Sequence, residues 1–240
     1  MDERLIRARS LLGGDAMERL KQSHVAVFGL GGVGSWCAEA LCRSGVGTLT
    51  LVDQDCVSRS NINRQLCALE DTVGRPKAEV MAERCRAIAP DCRVIPVTER
   101  YDSESREKFF AEPFDYVVDA IDLVSCKLDL IETALNRGIP IVSALGTGNK
   151  FDATRFVITD ISKTEGCPFA RIIRKELRHR GIEHLKVVFS SEQPAESEQT
   201  EAPPPGRRSV PGSLVWVTAT AGMLLAQQVI TDLSSENAVF

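Results

Sequence analysis

The chain has 240 residues, 43% of them hydrophobic and 26% charged, with a formal net charge of −4. That length supports one substantial core, and the acidic balance excludes a protein that coats nucleic acid without selectivity, although a local basic face is still open to it. Eight cysteines without a C-x-x-C pair announce neither a disulfide framework nor a tetrahedral zinc site, as expected in a reducing, cytoplasmic compartment. Residues 1–23 read as an N-terminal helical segment, and "MDERLIRARSLLGG" lacks the apolar run of a secretory signal. From residue 24, apolar runs alternate with amphipathic patterns. "HVAVFG" predicts a strand, 33–44 a helix and "TLTLVD" a second strand. A helix at 76–89, a strand at 93–97, a short helix near 103–110 and the strand "DYVVDA" follow, and a helix at 125–137 leads into "IPIVSALG". Strands this continuously apolar belong to a sheet covered on both faces. The alternation predicts an α/β fold: a Rossmann-like, doubly wound, mainly parallel sheet.

After residue 150 the pattern changes. "TRFVITD" alternates in character and suits an antiparallel C-terminal extension, a basic helix spans 168–180, and "LKVVFS" is a further strand. Residues 190–212 are rich in Pro, Glu and Ser and read as a mobile loop. A strand and helix over 214–232 return to the core; that segment is too short and too interrupted for stable membrane insertion. The expected organisation is one unit over 1–240, with a nucleotide-binding core at 24–150 and a C-terminal part at 151–240.

The glycines of "FGLGGVG", Gly29, Gly31, Gly32 and Gly34, lie between a strand and a helix. Such a turn aims backbone N–H groups and the helix's positive end at one point, which suits a phosphate. Asp53 ends the second strand, where a carboxylate can accept hydrogen bonds from ribose hydroxyls. Both features fit a dinucleotide and ATP alike. The charges further along favour ATP. Arg64 in "NINRQ" and Lys77 in "GRPKAEV" follow the second strand, and Lys77 opens a helix whose dipole it opposes. Sites that break a triphosphate recruit Lys, Arg and a divalent cation to hold the developing charge. Asp119 and Asp122 of "YVVDAID" supply hard oxygen ligands at the end of the fourth strand, suited to magnesium.

"GLGGVG", "LVDQD", "NINRQ", "VGRPKAEVM" and "VVDAID", in this order, resemble the ThiF/MoeB/HesA adenylating superfamily, whose members are similar to ubiquitin-activating enzymes. The resemblance implies that Gly29, Gly31, Gly32 and Gly34 line ATP and that Asp53 holds its ribose. Arg64 and Lys77 would bind its phosphates, and Asp122 would hold Mg2+. Asp55, Asn61, Asn63 and Gln65 match motif positions of the same nucleotide site. It also implies a homodimer in which an N-terminal arginine reaches the partner's ATP; Arg7 is the best match, with Arg4 and Arg9 close by.

Superfamily members that adenylate the C-terminal glycine of a ubiquitin-like sulfur carrier usually hold zinc through two C-x-x-C pairs, which are missing here. Instead "GTGNKFDATRFVITDISKTEGCPFARIIRKELRHRGIEHLKVVFSSEQP" resembles the tRNA threonylcarbamoyladenosine dehydratases. That resemblance implies ATP-dependent adenylation of the carboxylate of the modified nucleoside, then dehydration and cyclisation. It makes modified tRNA the substrate and brings in a sulfur-transfer protein as a further partner. A carrier-protein adenylyltransferase and an NAD-dependent oxidoreductase stay open as alternatives. Arg171, Arg174, Lys175 and Arg178 share one helical face, a candidate contact for tRNA phosphates or simply a solvated surface. Cys167 is read as a plain cysteine rather than a nucleophile, His24, His179 and His184 as structural or surface residues, and Phe151 and Phe156 as core.

Overall fold

Residues 2–198 and 210–235 are described by the structure, a computed structural model. His24–Phe28 forms β1, where Val25 and Val27 enter one apolar cluster and Ala26 and Phe28 the other, all fully buried. Side chains alternate across a strand, so β1 must lie inside a sheet covered on both faces. Beside it run β2 (Thr48–Val52) and then β3 (Arg93–Val97). On its other side lie β4 (Tyr116–Asp119), β5 (Ile141–Ala144), β7 (Lys186–Ser190) and the edge strand β6 (Phe156–Asp160). Every pairing is parallel except that of β6 with β7. The chain therefore forms the doubly wound sheet, with its antiparallel extension, that the sequence predicts.

Two helices, α1 (Ile6–Leu12) and α2 (Gly14–Gln22), precede the sheet. One face is covered by α3 (Gly34–Arg43), α4 (Lys77–Ile88) and α8 (Val215–Ser234). The other is covered by α5 (Arg106–Phe109), α6 (Val124–Asn136) and α7 (Pro168–His179), over a cluster of Phe28, Tyr101, Phe109, Phe110 and Phe114.

Two elements differ from expectation. "LVWV" is not a strand: Leu214 caps α8 with extended backbone, and helix runs unbroken from Val215. The β-branched run reads as strand by propensity, but Val217 and Ala221, four apart, both bury completely, and Gly222 lets the helix approach α3 (a Cβ there would lie 2.4 Å from the Val33 carbonyl). The helix near 103–110 shrinks to one turn because Asp102 Oδ1 accepts from the Glu104 and Ser105 amides, which makes a turn of its first residues. The loop expected over 190–212 has no regular structure at 190–198 and 210–212, apart from the end of β7 at Ser190; 199–209 lie outside the described residues.

Candidate active site

The strand order turns back between β1 and β4, and the loops leaving their carboxyl ends meet there. Gly29 has φ +88°, and a Cβ on it would lie 2.7 Å from the Ala120 carbonyl oxygen. A Cβ on Gly34 would lie 1.8 Å from the Gly29 carbonyl oxygen, so the first turn of α3 closes directly on β1. Those two glycines are demanded by backbone. A Cβ on Gly31 would meet only Gln65 Nε2, at 3.8 Å, so its side of the loop is open for a ligand. Gly32, the one a dinucleotide fingerprint does not require, faces Thr218 of α8, which a Cβ there would approach to 3.1 Å.

Asp53 sits one residue past β2 with its carboxylate against this loop. Its Oδ2 accepts from the Leu30 amide at 2.6 Å and its Oδ1 from the Asp55 amide at 2.8 Å. Burial holds its carboxyl above the usual range, while the charge of Lys77 pulls the other way. Each oxygen keeps acceptor capacity toward the crevice. Lys77 is buried at the start of α4, and its Nζ lies 3.1 Å from Asp55 Oδ2. Asp55 is thus an exposed partner of the buried Lys77.

Arg64 is half-buried, with Nη1 donating to the Ser60 carbonyl and to Asn63 Oδ1, both at 2.9 Å. Trp36 of α3 donates to the Arg64 carbonyl at 3.1 Å, fixing the arginine's backbone beside the glycine loop. Asn61 caps this turn by accepting from the Ser58 amide, Asn63 Nδ2 donates to the Ser213 carbonyl at 3.0 Å, and Gln65 is buried under Gly31. The residues of "NINRQ" therefore build one wall of the crevice and tie it to the approach to α8.

The two aspartates at the end of β4 and just beyond it separate. Asp122 is exposed, in the loop whose Ala120 touches Gly29. Asp119 is fully buried and cannot reach a ligand, which removes it from the candidate cation set. Its Oδ2 lies 2.5 Å from Lys127 Nζ and takes the Ser143 hydroxyl, and its Oδ1 accepts from the Ile121 amide at 3.1 Å. Lys127 also donates to Ser143 Oγ at 3.1 Å and to the Ala144 carbonyl at 3.0 Å, so all three of its donors are used. Sequence reasoning missed this lysine. Its signal was a charge between Cys126 and Leu128, on the first turns of a helix that faces a strand-end carboxylate.

Of the N-terminal arginines, Arg4 is held by Asp2 and Asp91, whereas Arg7 is exposed and makes no side-chain hydrogen bond or ion pair among the described residues. On α7, Arg171, Lys175 and Arg178 are exposed and line an open groove with His179, while Arg174 turns back to Thr164 at its base. Ile173 and Leu177 bury completely beneath them. Cys167, buried against the loop after β5, is free like the other seven cysteines. His24 bonds Thr50 Oγ1 at 2.8 Å and His184 approaches Asp160 at 3.3 Å. Phe156 is core, but Phe151 is 62% exposed, which corrects its assignment; the Phe151 amide is taken by Glu192 outside the sheet.

A switch-point glycine loop, a carboxylate held against it and a lysine and arginine beyond the strand ends define a nucleotide-binding α/β protein. The ThiF family model matches residues 3–239, and the chain belongs to that family. A Bacillus subtilis tRNA threonylcarbamoyladenosine dehydratase is 44% identical over 231 residues, covering 92% of this chain and 91% of the relative. The Escherichia coli dehydratase is 41% identical over 190 residues, 76% of this chain and 71% of the relative. A crystal structure of E. coli tRNA N6-threonylcarbamoyladenosine dehydratase in complex with ATP superposes with a TM-score of 0.87 at 36% identity, over 96% of this chain and 93% of that one. Among the described residues no helix is long and apolar enough to cross a membrane.

Proposed function

We propose that this chain uses ATP to adenylate the carboxylate of threonylcarbamoyladenosine in tRNA, leading to dehydration and cyclisation. The observation that carries the reading is end-to-end likeness to a dehydratase, 44% identity over 92% of the chain. A carboxylate does not expel hydroxide readily, so the carboxylate oxygen first attacks the α-phosphorus of ATP and the bond to pyrophosphate breaks. The resulting mixed anhydride has AMP as its leaving group. An internal nucleophile of the same modification then attacks the acyl carbon, closes the ring and releases AMP, aided by its high effective concentration. No protein nucleophile is required, in keeping with the burial of Cys167.

The protein's own work is positioning and charge stabilisation. Gly29, Gly31 and Gly34 shape the loop that presents N–H groups to the phosphates, with Gly32 seating that loop on α8. Asp53 takes the ribose hydroxyls. Lys77 and Arg64 hold the departing pyrophosphate, and Asp55, Asn61, Asn63 and Gln65 support them. Asp122 suits Mg2+: its carboxylate is exposed beside the loop, and no group of three ligating side chains surrounds it among the described residues, as in sites where phosphates and water complete the shell. When bound, the ion would offset phosphate charge. Arg7 reaches the neighbouring site of a homodimer, and Arg171, Lys175 and Arg178 meet tRNA phosphates. A sulfur-transfer protein is a further partner, and the free thiols suit a cytoplasmic setting.

Incubating the protein with ATP and modified tRNA, then weighing the nucleosides, tests the reading. A product lighter by one water supports it. Pyrophosphate release triggered only by a carrier protein, or tight NAD binding without ATP binding, overturns it.

A further inference from the structure

The carboxyl edge of the sheet holds a feature that the nucleotide site does not use. Phe151 is 62% exposed and Trp216 is 52% exposed, yet neither is loosely held. Trp216 Nε1 donates to the Phe151 carbonyl at 2.9 Å. The Phe151 and Asp152 amides both donate to the carboxylate of Glu192, at 2.8 and 3.0 Å. The preceding Lys150 is buried, and its Nζ donates to the Ser190 carbonyl at 2.7 Å, pinning the loop to the end of β7. Burial lowers the affinity of Lys150 for its proton, so that anchor is held at some cost. The Trp216 ring and the Phe151 backbone are thus fixed in place, and both aromatic groups are left in water, the reverse of what a core would do with them.

Their surroundings say what they face. Two residues beyond Trp216, Thr218 seats Gly32 of the nucleotide loop, and just before the helix Ser213 receives Asn63. On the other side, the loop after β5 that leads to Phe151 meets Cys167 at the start of α7, the helix that bears the basic groove. The aromatic pair thus stands beside the glycine loop, on chain segments that also reach the start of α7. A tRNA with one nucleotide in the crevice brings the neighbouring part of its chain to this rim.

We infer that Phe151 and Trp216 form a stacking platform for unpaired bases of the tRNA next to the modified nucleotide. Proteins recognise single-stranded RNA by stacking splayed bases on aromatic faces, and rings held beforehand lose little freedom on binding. The inference rests on the proposed function for its substrate and adds where that substrate docks.

The test compares Trp216→Leu, Phe151→Leu and Trp216→Phe, with ATP and modified tRNA as the probes. Each leucine variant should raise KM for tRNA by about 5- to 150-fold, the range measured for one stacked base. The KM for ATP and kcat at saturating tRNA should not move. Trp216→Phe, which keeps an aromatic face, should stay close to wild type. The only other tryptophan is Trp36, so quenching on RNA addition that disappears in Trp216→Phe reports contact directly. Unchanged KM in both leucine variants overturns the platform. So does a KM change that tracks a shift in sedimentation, because the rings would then face a second copy of the chain. If the wild-type protein consumes no modified tRNA, the dehydratase reading fails; Trp216 quenching by tRNA still upholds the platform, and its absence removes that as well.

Discussion

Replacing Lys127 with methionine keeps the length of the side chain and removes its charge. Asp119 would then stay fully buried with only the Ser143 hydroxyl and the Ile121 amide as partners, where it now also has the ammonium at 2.5 Å. Ser143 Oγ and the Ala144 carbonyl would each lose a donor in the same step. Breaking one side of a buried pair costs about 3–5 kcal/mol, because the other charge is stranded without water. For a chain of this size that is a fall in Tm of roughly 6–20 °C, at about 2–4 °C per kcal/mol. Thermal and urea melts followed by circular dichroism measure it. The double variant Lys127→Met with Asp119→Asn removes the stranded charge and should regain much of the loss, a coupling that single variants cannot show. ATP binding should weaken as well, since Asp119 orients the Ala120–Asp122 turn that backs Gly29. A Tm within a degree or two of wild type would refute the claim that this pair holds β4, β5 and α6 together.

Arg64→Ala and Lys77→Met should each slow pyrophosphate release by about 100- to 1,000-fold, the usual loss for a group that stabilises developing charge; unchanged turnover in both would remove their phosphate role. Arg7→Ala should be inactive alone, yet mixing it with Lys77→Met and exchanging subunits should restore up to about a quarter of wild-type activity, because each mixed dimer keeps one intact site. No recovery would place Arg7 outside the partner's site. Burial lowers the affinity of His24 for a proton below the usual 6.5. Stability is therefore full above that value and is lost as pH falls through it toward the depressed folded value. His24→Gln should flatten the decline in Tm between about pH 7 and pH 5, and an equal slope in the two proteins would contradict the assignment.

The sheet was legible because its central strands are largely apolar and its helices periodic, and burial on two faces leaves that trace in any sequence. The positions of the glycine loop, Asp53, Arg64 and Lys77 were legible because each follows a strand end that the apolar pattern marks. Asp119 misled for the same reason: a carboxylate after a strand looks alike whether it faces solvent or a buried lysine. The partner of Asp119 is only eight residues away, yet the contact depends on how α6 lies on the sheet. "LVWV" misled because propensity is local, whereas Gly222 makes room for helix packing with a distant part of the chain. Phe151 was read as core because alternation was taken for burial, and a loop residue can alternate without being buried.

The contact between Gly32 and Thr218 joins the first loop of the nucleotide site to α8, the last helix among the described residues. During synthesis the glycine turn emerges early, and its seat arrives only when α8 does. A nascent chain can form β1 to β5 and still lack the surface that sets the loop's shape. Competence to bind ATP is then acquired only once α8 has been made, so a chain truncated before α8 should fold in part without capturing the nucleotide.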